Sequence, residues 1–363
     1  MPGRTNLELS YVGNQSHDLF TEGNLNNQNV IQLGGLFQPD PITGVVSQPG
    51  NSQQKVQDYR PYSYYTTVNV PHHIAYGNYN ALQVTWTKQK GALNYNFNYT
   101  WSKALGIRGD YRTGAVGDPT ILRNNYGYLG FDRSQIANFT FSYQVGNMYH
   151  GNRLLAGIIN QWLISSITNV QSGPDTAVLN GTSNTNYNLS GGVSYTPPGT
   201  TVPVNISLSN STILGTPDIN LQPVVTCNPK SNLVQGSIKG RNYINGSCFA
   251  LPTLGHNGAF NLPSVHGPAF FNSDLTVQRS FKLTEQKSLD FRLAGFNFLN
   301  HPLPQFYGGN QYGLGLSFGL PTGYTATTPQ QAIAAAVQNS VNFGYTPYKG
   351  GYRVVEVEAK FNF

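Results

Sequence analysis

Apolar and polar side chains alternate in eight separate stretches of the chain. The clearest places Leu93, Tyr95, Phe97, Tyr99 and Trp101 on one parity and Asn94, Asn96, Asn98, Thr100 and Ser102 on the other. A strand sends successive side chains to opposite faces, so this stretch predicts a strand with one apolar and one neutral polar face. The same reading predicts strands at 5–12, 79–87, 137–145, 154–171, 272–283, 288–299 and 353–363. The alternation is poorer at 154–171, where Leu163 and Ile167 interrupt the polar face. The final strand carries Val355, Val357, Ala359, Phe361 and Phe363 on one face and Val354, Glu356, Glu358, Lys360 and Asn362 on the other. Gln330 to Gln338, with Ala332, Ala334, Ala335 and Ala336, predicts a short helix.

The predicted connections alternate in length: 13–77, 88–91, 104–133, 146–153, 172–270, 284–287 and 300–350 run long, short, long, short, long, short, long. In an up-and-down barrel, successive connections fall on opposite sides. Outer-membrane barrels combine short periplasmic turns with long extracellular loops. A soluble sandwich has no reason to keep this alternation. The expected fold is therefore all-β: an antiparallel, up-and-down transmembrane β-barrel, partial, with about eight strands of a larger one. The span 172–270 reads as a long extracellular loop. A connection this long is unusual unless it is functional.

Composition narrows the choice. Charged residues are 10% of the 363, against about 25% in ordinary soluble domains. Asn, Gln, Ser, Thr, Gly and Tyr replace them, which suits strands with a neutral face lining water. The 23 Tyr and 19 Phe argue against disorder. The net charge of +6 is dispersed with no Lys or Arg run, so nucleic acid is not an expected partner. Outer-membrane lipid is. Met1-Pro2-Gly3-Arg4 leads straight into the first strand without an apolar signal region; if the protein is exported, these residues are not expected to be its true beginning.

Several stretches resemble the C-terminal part of TonB-dependent outer-membrane receptors that carry a carboxypeptidase-regulatory-like domain at their N-terminus. They are Leu7 to Gly13, Asn78 to Val84, Tyr99-Thr100-Trp101-Ser102-Lys103, Phe131-Asp132-Arg133, Phe270 to Leu275, and Phe291-Arg292 followed by Phe296-Asn297-Phe298-Leu299-Asn300-His301-Pro302. They occur in the family's order over nearly the whole chain. Ala294 departs from the pattern, standing where the family usually has an acidic residue. The resemblance implies transport of a solute and a plug inside the barrel. It also implies an inner-membrane energy-coupling complex engaged through an N-terminal region missing from this sequence. Phe363 then reads as the terminal aromatic recognised by the barrel assembly machinery, with Val355, Val357, Ala359 and Phe361 completing that signal. Plugged transporters have about 22 strands, so eight read as the C-terminal third of a barrel. A complete small barrel is the alternative, although Asn, Thr and Ser would fill its interior poorly.

Candidate chemistry is sparse. Cys227 and Cys248 are either two unrelated thiols or one loop disulfide; polar surroundings and an oxidising exterior favour the disulfide. They lack the partnered His spacing of a zinc site. His72-His73 is a candidate metal or siderophore contact, but adjacent residues on an extended chain point apart. Arg108-Gly109-Asp110 spells an adhesion tripeptide from loop-favouring residues. Gly308-Gly309 and Gly313 to Gly319 lack the flanking strand, helix and lysine of a phosphate loop. Triplets such as Asn180-Gly181-Thr182 follow from the abundance of Asn. No glycine-flanked serine elbow stands out, so no catalytic residue, enzyme activity or cofactor is expected. Trp86, Trp101 and Trp162 read as an interfacial belt. Asn94, Asn96, Asn98, Arg292 and Lys360 are the candidate lumen-facing residues, the charges facing a plug or solute or pairing with Glu356 or Glu358. The loops 104–133, 172–270 and 303–350 are the candidate solute binders. The rival function is a surface binding or adhesion module that does not transport.

Overall fold

Eight antiparallel strands in strict sequence order, with the short strand Tyr126–Tyr128 added against the third of them, form one sheet in the computed structural model. They are β1 (Thr5–Phe20), β2 (His73–Lys88), β3 (Leu93–Ile107), β4 (Gln135–Gln144), β5 (Leu163–Gln171), β6 (Phe270–Lys282), β7 (Ser288–Phe296) and β8 (Val354–Asn362). The structure describes residues 5–21, 23–46, 55–107, 119–173, 188–233, 241–258, 266–305, 315–339, 343–346 and 348–363. Among these, β1 and β8 are each paired along one side only, so the sheet has two open edges. No described helix is long and apolar enough to cross a membrane.

The register puts the alternation into one surface. Trp86 stands opposite Leu7 and Phe97, and Phe97 opposite Phe139. Farther along, Val277 faces Leu293 and Leu293 faces Val357. The opposite face carries Asn98 against Thr85 and Asn138, then Arg292 against Gln278 and Glu358. A slip of one residue at any ladder would exchange the two faces, so the pattern specifies the register throughout. From Leu93 to Trp101 the apolar stripe runs about 27 Å along the strand, which at the usual tilt of about 40° spans about 20 Å, most of the apolar band of an outer-membrane barrel.

Several strand boundaries differ from those expected: β2 begins at His73 rather than at 79, β3 runs on to Ile107 past the expected loop start at 104, and β7 ends at Phe296 rather than at 299. β1 continues to Phe20, because pairing with β2 persists past the apolar zone, where alternation is no longer required. The predicted strand at 154–171 starts only at Leu163; helix α1 (Arg153–Ile159) precedes it. Seven mostly apolar residues are too few to separate a helical from an extended period. The connections become 21–72, 89–92, 108–134, 145–162, 172–269, 283–287 and 297–353. Their alternation survives, although the connection holding α1 is longer than the other two on its side. The one predicted helix, Gln330 to Gln338, is present as α2 (Pro329–Ala335), with the Thr328 side chain accepting from the Gln331 N–H at its start.

The long connections are not loose loops. Three of them build a cap with a core of its own: Val30 from the first, Val193, Ile206, Ile213, Leu214 and Phe249 from the third, and Leu316, Phe318, Ile333 and Phe343 from the last. Strand Gly315–Gly319 pairs in parallel with Asn188–Tyr195, which pairs with Val204–Ser207. Gly215 adopts φ +66°, and a Cβ there would meet the Gly34 Cα at 2.9 Å, so only glycine permits this approach of the first and third connections.

Candidate solute-binding cap and lumen wall

In the first connection, Arg60 makes a bidentate pair with Asp218 of the third, Nη2 to Oδ1 at 2.8 Å and Nη1 to Oδ2 at 3.0 Å. The two side chains are only 7% and 11% exposed. Asp218 Oδ2 also accepts from the Ile31 N–H at 2.8 Å. Arg60 Nη1 donates to the Asn29 carbonyl as well. Asn29 is fully buried, and its amide clamps the next turn, donating to the carbonyls of Tyr62 and Tyr65 and accepting from the Tyr62 N–H. The clamp leaves Tyr62, Tyr64 and Tyr65 exposed, Tyr64 to 97%. A turn fixed from beneath that presents three tyrosines is a preformed contact surface, since tyrosine offers large amphipathic area at low entropic cost. Pro61, next to it, lines a cavity of about 530 Å³ with Asn27, Gln28, Gln32 and His72. The sequence reading missed this platform; the run Pro61-Tyr62-Ser63-Tyr64-Tyr65 was the available signal.

Cys227 and Cys248 are joined by a disulfide, with Cα atoms 4.8 Å apart, and Cys248 is fully buried in the cap. His72 and His73 do not act together: His72 Nε2 lies 3.2 Å from Gln28 Nε2, and His73 packs edge-on to Phe20. No group of three metal-ligating side chains occurs among the described residues. Arg108-Gly109-Asp110, Asn180-Gly181-Thr182, Gly308-Gly309 and Gly313 lie outside the described residues, as does Met1-Pro2-Gly3-Arg4.

Asn94, Asn96, Asn98, Arg292 and Lys360 occupy the polar face of the sheet. That face is the concave one. Asn94, Asn96, Thr140, Asp274 and Arg292 line a cavity of about 500 Å³ on it. Nearer the short turns, Lys282, Asp290, Arg292, Glu358 and Lys360 line another of about 800 Å³. Arg292 Nη1 lies 3.7 Å from Glu358 Oε2, both side chains well exposed. Lys360 stands opposite Asp290. Asn94 Oδ1 is buried with no hydrogen-bond partner.

The convex face carries Val355, Val357, Ala359 and Phe361 on β8; Phe361 stacks on Phe363, the last residue, which is 93% exposed. Trp86 and Trp162 sit toward the short turns on this face, Trp86 edge-on to Tyr95, while Trp101 lies nearer the long connections.

Two stretches that resemble the receptor family prove to hold strand ends. Asp132 Oδ1 accepts from the Ala104 N–H at 2.7 Å, and the Arg133 carbonyl accepts from Ser102 Oγ, so Phe131-Asp132-Arg133 ties β3 to the start of β4. Asn297 (φ +47°) accepts from the His301 N–H and donates to the carbonyls of His301 and Gly351. Its own N–H donates to Asp274 Oδ1 at 2.8 Å. It thereby fastens the end of β7 to β6 and to the approach to β8.

An antiparallel sheet in sequence order, apolar outside, polar on its hollow side, with one end turned tightly and the other capped, is the wall of an outer-membrane β-barrel. Residues 1–333 match the outer membrane beta barrel domain, and the chain belongs to that family. Among curated proteins no match is found. The family places the chain in the outer membrane.

Proposed function

We propose that the chain is the barrel portion of a TonB-dependent outer-membrane receptor that takes up a solute captured by its cap. The observation that supports this reading is the concave wall of amides and hydroxyls, with charges gathered near the short turns, and an unpaired buried acceptor, Asn94 Oδ1, beside one of its cavities. A small closed barrel fills its interior with its own side chains. This wall keeps hydrogen-bonding groups free for something else inside, which suits a plug domain and a passing solute. The open edges of β1 and β8 suit pairing with further strands of a larger barrel. Energy coupling comes from an inner-membrane complex acting through an N-terminal region outside this sequence.

The solute is neutral and polar, a carbohydrate or a peptide, because the cap offers tyrosines, amides and hydroxyls rather than clustered charge. The test is accumulation of labelled solute by cells making the full-length protein, with and without a protonophore. Uptake abolished by the protonophore while surface binding persists supports the receptor. The cap's own core and disulfide favour one other reading, a surface binding module without transport. Binding without energy-dependent accumulation would establish that reading instead. Recovery of the protein as a soluble monomer without detergent would exclude both.

A further inference from the structure

The short-turn end of the convex face holds a group that its role as a wall does not explain. Arg279 lies on the apolar parity of β6, opposite Phe291 of β7. Its guanidinium sits over the Phe281 ring, 4.6 Å from the centroid. Phe281 is two residues closer to the short turn at 283–287, so the side chain leans toward that end. Trp162 closes the cluster, edge-on to Phe281 at 6.2 Å and to Phe291 at 6.1 Å. Arg279 Nε and Nη1 are buried and have no partner in the protein. A cation on a lipid-facing surface is costly unless it reaches the interface and finds an anion there.

Helix α1 lies beside this cluster. Trp162 Nε1 donates to the Ile158 carbonyl at 2.8 Å, which fixes the end of α1 against the aromatic group. Leu155, Ile158 and Ile159 of α1 are exposed, and so is Met148 just before it. These residues continue the apolar convex face past the end of the strands. Water has no use for such an extension; the headgroup and upper acyl region of a bilayer does.

We infer that α1 and the Trp162–Phe281–Phe291 cluster form a phospholipid-binding site at the periplasmic rim of the barrel. The exposed α1 side chains take the upper acyl chains, and the Arg279 guanidinium takes the headgroup phosphodiester. Nε and Nη1 are buried, so Nη2 is the nitrogen left to donate one charge-assisted hydrogen bond to the phosphate. The site rests on the reading of the convex face as lipid-facing, and its test separates the two.

The two cysteines of this chain are bonded to each other, so a cysteine introduced at Leu155 can be labelled with a fluorophore. The full-length protein, extracted from outer membranes, is reconstituted into bilayers of phospholipid brominated on the acyl chains. Quenching of the Leu155→Cys label to the degree seen for a control label at Leu82→Cys, on the convex face of β2, supports the site. A quenched control with an unquenched Leu155 label overturns the site and leaves the barrel reading intact. An unquenched control overturns both. The phosphate contact is read from phospholipid retained through detergent washing. Arg279→Gln is expected to retain about tenfold less, the cost of one charge-assisted hydrogen bond, and Arg279→Lys to recover part of it. Equal retention by wild type and Arg279→Gln overturns the contact, as does displacement of the lipid by inorganic phosphate. Should Arg279→Gln fail to insert, the Leu155 label on the wild-type site still decides whether α1 meets lipid.

Discussion

Arg60 and Asp218, 158 residues apart in sequence, form a buried bidentate ion pair that joins the first long connection to the third. Removing one partner of such a pair leaves an uncompensated buried charge, at a cost of about 3–5 kcal/mol. Asp218→Ala should therefore loosen the cap while the strands stay inserted. Limited proteolysis on intact cells should cleave the 55–65 region of the variant, with the heat-modifiable gel shift of the barrel unchanged. Arg60→Met with Asp218→Leu should recover much of the resistance, because a paired apolar replacement leaves no charge behind.

Asn297 spans three partners at the ends of β6, β7 and the approach to β8. Asn297→Ala should lower barrel stability by about 2–3 kcal/mol, since buried backbone groups lose their partners. The midpoint of the heat-modifiable gel shift should fall accordingly. Asn297→Asp keeps an acceptor for the His301 N–H and should lie between wild type and Ala. A fall confined to solute binding, with no change in the midpoint, would contradict this structural role.

His266 gives the cap a pH response. Burial holds its pKa below the ordinary histidine value, with nearby Lys230 acting in the same direction. The folded state therefore prefers the neutral ring, edge-on to Tyr128 at 5.7 Å. Above about pH 6.5 folded and opened states are both neutral and nothing changes. As pH falls through that value the opened state binds the proton more readily, so closure weakens. Amide exchange at 126–128 and 266–270, corrected for intrinsic rate, should rise as pH falls below about 6.5. His266→Phe should flatten that rise.

The exposed pair Tyr64 and Tyr65 should dominate capture of the solute. Tyr64→Ala with Tyr65→Ala should weaken surface binding by about tenfold or more, at 1–2 kcal/mol for an aromatic contact, and leave outer-membrane insertion intact. Binding of neutral oligosaccharides and peptides to intact cells measures the first, fractionation the second. Undiminished binding would move the capture site elsewhere on the cap.

Legibility in the sequence followed the solvent. Where one face meets lipid and the other water, a period of two is enforced, and Leu93 to Trp101 or Val355 to Phe361 can be read directly. Where the chain leaves that boundary the constraint lifts. The upper half of β1, from Gly13 to Phe20, stays paired with β2 through register shifts after Ser16, without keeping its alternation. The cap obeys a third rule. Its strands are short, and Gly315–Gly319 pairs with a partner more than a hundred residues away, so no local period records it. The Tyr62–Tyr65 platform depends on Asn29 beneath it, a contact that nothing in the local sequence announces.

The cap core also imposes an order of events. Val30, Phe249 and Phe343 share one interior, yet they lie on connections separated by pairs of membrane strands. None can bury its side chain until the last connection has passed to the outer side. Translocation must therefore precede cap folding, and the cap comes into existence only on a barrel whose final hairpin is already delivered. A barrel arrested halfway through insertion would carry its long connections with no shared interior.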